Sequence, residues 1–228
     1  MAVKAVAKSM TLGQAEPMSI QNHLHFDTGS VNLTQTQGGG RPMGGRTMRK
    51  VIMWDMVSID GFFEAPGHDI GWFVFEDELD AYIRETQFEA GTLLFGRTTY
   101  ELMAAYWPSS EDHIAAFMNG VEKYVFSRTL RSADWNNTTL VTGDAADEVR
   151  RLKEREGGAI FIFGSADFAS TLIAQGLVDE YRLGINPVLL GKGTPLFQNV
   201  AERTKLELTH VRPLKSGVVI LHYRPEPA

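Results

Sequence analysis

The 228-residue sequence contains no cysteine, which excludes disulfides, thiolate nucleophiles and cysteine-bound zinc. No apolar run approaches the ~20 residues that a membrane helix requires, and the opening residues lack the hydrophobic stretch of a secretory signal. The chain is therefore expected to be cytoplasmic, with no membrane partner. Positive charge is also scarce: 22 Lys and Arg stand against 28 Asp and Glu, a formal net charge of −6. With no basic stripe to neutralise a phosphate backbone, a nucleic-acid partner is not expected. A small anion needs only one local pocket. Two common nucleotide signatures are missing as well, since no G-x-G-x-x-G follows a strand and no P-loop lysine motif occurs.

What is present is enough apolar material, 43% of residues, for one sizeable core. Residues 1–47 stand apart: "LTQTQGGGRPMGGRTM" is rich in Gly, Gln and Thr, and "MAVKAVAKSM" has no sustained period. This stretch reads as a flexible leader or extension. His23 and His25 in "NHLHF" have no acidic or cysteine neighbour to complete a metal site, so no metal is expected. Residues 48–228 read as a single domain.

From Lys50 onward the pattern alternates between strand and helix. "KVIMWDMV", "TLLFG", "EKYVFS", "TTLV", "AIFIFG" and "DEYRLGINPVLL" read as strands. Between them, residues 75–88 put Phe75, Leu79, Tyr82 and Ile83 on one helical face. "RTTYELMAAY" opens a helix directly after a strand, and "DAADEVRRLKEREGG" is amphipathic and ends in Gly-Gly. The ending "KLELTHVRPLKSGVVILHY" reads as an antiparallel hairpin. Alternation of this kind predicts an α/β fold with a mostly parallel sheet covered on both faces and the hairpin at its edge.

Ligands of open α/β sheets bind beyond the carboxyl ends of the strands. Three strand ends carry suitable residues: Gly96-Arg97-Thr98-Thr99, Ser127-Arg128 and Gly164-Ser165-Ala166. Each alone reads equally as a helix cap, a solvated turn or a packing junction. Together they offer two arginines and two helix starts, a set suited to a pyrophosphate plus a further phosphate monoester, which is the polyanion pattern of NADPH.

With "SIDGFFEAPG", "LLFGRTTYELMAAYWP", "VFSRTL" and "IFIFGSADFASTLIAQGLVDEYRLGINPVLLGKGTPLF" in this order, the chain resembles the dihydrofolate reductase superfamily. It looks closest to the branch of the riboflavin-biosynthesis reductase domain and small stand-alone reductase-like proteins. The resemblance runs from residue 49 to 224. It implies a three-layer fold around about eight strands, NADPH as hydride donor, and frequently a homodimer. Carried onto matching positions, it gives Gly96, Arg97 and Thr98 the cofactor phosphates, Ser127 and Arg128 the adenosine 2′-phosphate, and Gly164, Ser165 and Ala166 the pyrophosphate; Thr99 joins the first group through the hydroxyl it adds to that strand end. It also makes Asp60-Gly61 part of a loop closing over substrate, where the bland alternative is a plain turn.

Trp54 and Met56 share one face of their strand, directed either into the site or into the core. Phe62, with Phe63, Trp72, Phe73, Phe75 and "YWP" at 106–108, either lines a stacking pocket or packs a core or dimer interface. Counting back without gaps from "LLFGRTTYE", Asp80 falls near the acid that folate reductases carry on a helix, and is either the proton donor or a solvated helix residue. The resemblance thus implies an NADPH-dependent reductase acting on a C=N or C=O of a flat heterocycle, dihydrofolate or a pyrimidine- or pteridine-like compound. Gly-Ser at 164–165, where folate enzymes carry Gly-Gly, leaves the substrate open. The rival is a non-catalytic nucleotide-binding or interaction protein that retains the fold.

Overall fold

The structure is a computed structural model that describes residues 48–198, 200 and 202–226. The expected leader at 1–47, with His23 and His25, lies outside the described residues. The organising strand is β1 (Val51–Ser58), buried along its whole length. Such a strand needs cover on both faces, and "VIMW" and "MV" supply apolar residues to both. Alternation sends Val51, Met53 and Val57 into one core layer and Ile52, Trp54 and Met56 into the other.

Parallel neighbours flank β1 on both sides, β6 (Ala159–Ile162) and β7 (Glu180–Asn186). Beyond β6 the sheet continues with β3 (Ala90–Gly96), β4 (Glu122–Phe126) and β5 (Thr138–Val141), all parallel. Beyond β7 come β10 (Val219–Pro225) and, at the edge, β9 (Leu206–Pro213), both antiparallel. The order β5-β4-β3-β6-β1-β7-β10-β9 is the eight-stranded, mostly parallel sheet with a C-terminal hairpin expected from the sequence.

Helices α1 (Asp77–Thr86), α2 (Arg97–Tyr106) and α3 (Ala115–Gly120) contribute Leu79, Tyr82, Tyr100 and Met118 to the layer of Trp54. Helices α4 (Ala145–Glu154) and α5 (Ala166–Ala174) contribute Val149, Leu152, Ala169 and Leu172 to the opposite layer. The sequence pattern did not reveal α3, or the small two-stranded sheet of β2 (Phe62–Glu64) and β8 (Thr194–Pro195). That small sheet is tight: a Cβ at Gly193 (φ +151°) would run into the carbonyl oxygen of Glu64, so glycine alone fits there.

A polar network fixes α1 against the sheet. Arg182 on β7 donates to both oxygens of Glu89 at 3.1 and 2.8 Å and to Glu180 at 2.6 Å. The Tyr82 hydroxyl meets His222 Nε2 on β10 at 2.8 Å. Burial, then the nearby Arg182 charge, pushes the His222 imidazole down to about 4. An unfolded histidine takes a proton near pH 6.5, so between pH 6.5 and 4 the unfolded chain binds more protons than the folded one. The His222 contribution is full above pH 6.5 and is lost as pH falls toward 4, on the order of 2–3 kcal/mol. In urea unfolding from pH 7 to 4, His222→Gln is expected to flatten the decline in stability. An unchanged slope would contradict the assignment.

Candidate functional site

The carboxyl ends of β6, β3 and β4 lie side by side, because Leu94 is in register with Ile162 and Gly96 with Phe126. The segments that follow them therefore meet at one rim: Gly96 leads into α2, Ser127-Arg128 leaves β4, and Gly164-Ser165 leads into α5. All three strand-end motifs singled out in the sequence are brought together here. The packing between them is close. A Cβ on Gly96 would collide with Ser165 Oγ, and one on Gly164 (φ +56°) would lie 2.7 Å from Phe63 Cζ and 3.2 Å from Thr99 Oγ1. Small residues thus let two helix starts approach each other.

Both helix starts remain uncapped. The N-cap residues of α2 and α5, Gly96 and Ser165, have extended backbone and make no side-chain cap hydrogen bond. Their first N–H groups, with the positive end of each helix dipole, face an approaching anion. Two cations stand on the same rim. Arg97 is exposed and pairs with Glu101 at 3.1 Å across one helical turn. Arg128 is exposed and in no ion pair among the described residues. The turn carrying it is set by Ser127 Oγ, which accepts from the N–H groups of Thr129 and Leu130 at 3.2 and 2.9 Å. The rim is chemically suited to a phosphorylated dinucleotide.

Beside the rim opens a cavity of about 310 Å³ whose lining includes Trp54, Met56, Phe63, Thr99, Ser165 and Ala166. Thr98 belongs to the lining as well, and Phe73, Phe75, Tyr106 and Trp107 complete much of the apolar wall. Trp54 and Met56 thus serve both the core layer and the cavity. The wall formed by residues 70–75 is pinned by Asn186, fully buried at the end of β7, whose Oδ1 accepts from the Val74 N–H at 2.9 Å.

Several sequence expectations need correction in this geometry. Asp80 is absent from the cavity lining; its carboxylate binds Arg84 at 2.9 Å and His113 at 3.0 Å. The reason is helical phase: α1 presents Leu79, Ile83 and Thr86 to the cavity, and Asp80 stands about 100° further round the helix than Leu79. Phe62 is replaced in the lining by Phe63, its neighbour on the opposite face of β2. Asp60 is likewise not a lining residue. It accepts from the Ser58 hydroxyl at 2.6 Å and from the Leu190 and Gly191 N–H groups at 3.1 and 2.7 Å, tying the loop before β8 to the end of β1. Those bonds, the Ser58 one foremost and then that from Gly191, hold its carboxyl below the usual range. Trp72 packs edge-on to Phe73 at 4.5 Å.

Two polar residues of the cavity lining belong to no motif in the sequence. Asp55 in β1, only 5% exposed, and Gln87, just after α1, both line the cavity. Their Asp55 Oδ2 and Gln87 Oε1 atoms are buried side-chain atoms with no hydrogen-bond partner among the described residues. Such groups are costly in a dry interior, and both belong to residues that line one cavity. Burial drives the Asp55 carboxyl well above the ordinary carboxylate range, and the Gly164 N–H opposes this only in part. The available signal was a lone acid within a strand whose two flanks are apolar.

The sheet order, the covering layers and the rim define the class: a dihydrofolate reductase-like α/β protein. The chain belongs to the RibD C-terminal domain family, matched over residues 49–220. Among proteins of known sequence, Uncharacterized protein YyaP of Bacillus subtilis (strain 168) is 34% identical over 180 residues, covering 77% of this chain and 94% of YyaP. Solved structures that share the fold include two enzymes. One is a diaminohydroxyphosphoribosylaminopyrimidine deaminase/5-amino-6-(5-phosphoribosylamino)uracil reductase of Thermotoga maritima, with TM-score 0.57 and 16% identity over 78% of this chain and 57% of that one. The other is dihydrofolate reductase from Enterococcus faecalis, complexed with NADP(H), with TM-score 0.55 and 13% identity over 78% of this chain and 97% of that one. The fold is thus of reductase type. Among the described residues, no helix is long and apolar enough to cross a membrane.

Proposed function

We propose that the protein is an NADPH-dependent reductase that delivers a hydride to a C=N or C=O of a flat heterocycle. The observation that carries this reading is the junction of an anion-suited rim, built from two uncapped helix starts and two arginines, with a largely apolar cavity. Gly96 and Gly164 bring the starts of α2 and α5 together at this rim, since a Cβ on either would collide with Ser165 or Phe63, and two sets of free N–H groups then stand close enough to share one polyanion. In this reading Gly164, Ser165 and Ala166 hold the pyrophosphate, with Gly96, Arg97, Thr98 and Thr99 across from them. Ser127 and Arg128 hold the 2′-phosphate. When bound, the reduced nicotinamide supplies the hydride, and the chain supplies orientation and a dry site.

Trp54, Met56 and Phe63 confine a planar ring, and the 70–75 wall, held by Asn186, limits water. Asp60 shapes the neighbouring loop rather than touching the ring. Homodimerisation belongs to the same reading: the edge strand β9 exposes Leu206, Leu208 and Val211, an apolar edge that a second copy would cover.

Arg128→Ala tests the phosphate assignment. Titration by tryptophan fluorescence is expected to show NADPH affinity reduced about tenfold or more, equivalent to about 1.4 kcal/mol, with NADH affinity within about twofold of wild type. Equal losses for the two dinucleotides would reject it.

A further inference from the structure

Asp55 stands in the middle of β1, on the face of Met53 and Val57 rather than that of Trp54 and Met56, among the residues that line the cavity and against the Gly164 backbone at the rim. It is 5% exposed, no lysine, arginine or histidine forms an ion pair with it among the described residues, and its Oδ2 has no hydrogen-bond partner there. An ionised carboxylate in that position is uncompensated. The group is accordingly held as the neutral acid by burial, a form that carries an O–H donor. Asp80, by contrast, is engaged by Arg84 and His113 outside the cavity. No other aspartate or glutamate in the cavity wall is nine-tenths buried.

We propose that Asp55 is the general acid of the reaction, an assignment that rests on the reductase reading above. The acceptor carbon gains a hydride from the reduced dinucleotide, forming a C–H bond and leaving the dinucleotide oxidised. The π pair of the C=N or C=O moves onto its nitrogen or oxygen. That atom takes the proton of the Asp55 carboxyl as its O–H bond breaks. Asp55 is left as a carboxylate facing the Gly164 N–H, and recovers a proton from solvent once the reduced product leaves. The substrate class follows: the atom next to the reduced carbon must be a hydrogen-bond acceptor that becomes N–H or O–H.

The experiment compares wild type, Asp55→Asn and Asp55→Glu. Asn keeps the size and the acceptor for Gly164 but has no proton to give. An infrared difference spectrum of wild type minus Asp55→Asn at pH 7, taken without any acceptor, is expected to contain the carbonyl stretch of a protonated carboxyl. Its absence overturns the proposal independently of turnover. NADPH titration is expected to give Asp55→Asn an affinity within about twofold of wild type, while single-turnover NADPH oxidation with dihydrofolate and a ribosylaminopyrimidine phosphate as acceptors falls about 10²–10⁴-fold. The alkaline limb of the wild-type pH profile should vanish in Asp55→Asn and return, shifted, in Asp55→Glu. An Asp55→Asn protein that transfers hydride at the wild-type rate, or keeps the alkaline limb, overturns the acid role and leaves the reductase standing. A wild type that fails to bind NADPH, or oxidises it with neither acceptor, overturns the reductase reading and the acid role with it.

Discussion

Gly164→Val is expected to abolish measurable dinucleotide binding and to destabilise the protein by about 2–5 kcal/mol, the sum of a left-handed backbone cost and local overpacking. Gly164 sits at φ +56°, where a β-branched side chain is strongly disfavoured. Its Cβ would also stand 2.7 Å from Phe63 Cζ and 3.2 Å from Thr99 Oγ1, so the collision falls between the roof of the cavity and the start of α2. Phe63 and Thr99, both in the cavity lining, must then shift. Gly164→Ala meets the same two atoms without branching, and should fall between Val and wild type in both urea midpoint and NADPH affinity. A Gly164→Val protein with wild-type affinity would mean that the β6–α5 junction takes no part in binding.

Asp55→Asn should make the protein more stable, increasingly so as pH rises. The folded-state pKa of Asp55 is raised by burial, so above the ordinary carboxylate pKa the folded chain keeps a proton that the unfolded chain has lost. The contribution of the protonated group is full below about pH 4 and is lost as pH rises through the folded pKa, at about 1.4 kcal/mol per pH unit. Asn has no such dependence. Urea unfolding at pH 5 and pH 8 should therefore show a stability advantage of Asn over Asp that is larger at pH 8, alongside the loss of hydride transfer. A constant difference at the two pH values would mean that Asp55 ionises normally in the folded state. Stability lost to a site where an acid is held neutral fits a group placed for chemistry rather than for packing.

Much of the fold was legible because the signals were local. "RTTYELMAAY" became α2 without a shift of boundary, and "TTLV" became β5 likewise. β1 was recognisable from an apolar run with turn residues behind it. The short β2 and β8 were not, since two or three residues carry no period, and their pairing depends on Gly193 meeting Glu64 across a long chain separation.

The rim was legible for a similar reason: small residues followed by a helix start mark a strand end whatever the rest of the chain does. The acid was not. Position along the chain alone points to Asp80, yet one residue of helical phase decides whether a carboxylate meets the cavity or Arg84 and His113. Asp55 sits in a strand where alternation and burial conflict with its charge, and such a conflict between local rule and residue type is where function is expected. Only the tertiary packing reveals that Oδ2 and Gln87 Oε1, of two residues that line one cavity, are left without partners among the described residues.

The most direct measurement is a calorimetric titration of the wild-type protein with NADPH and, separately, with NADH. Binding of one NADPH per chain, clearly tighter than NADH, is the result expected of a rim that grips the pyrophosphate and the additional phosphate at once. Absence of heat with either dinucleotide, together with failure of NADPH to shift the thermal unfolding midpoint, would contradict it.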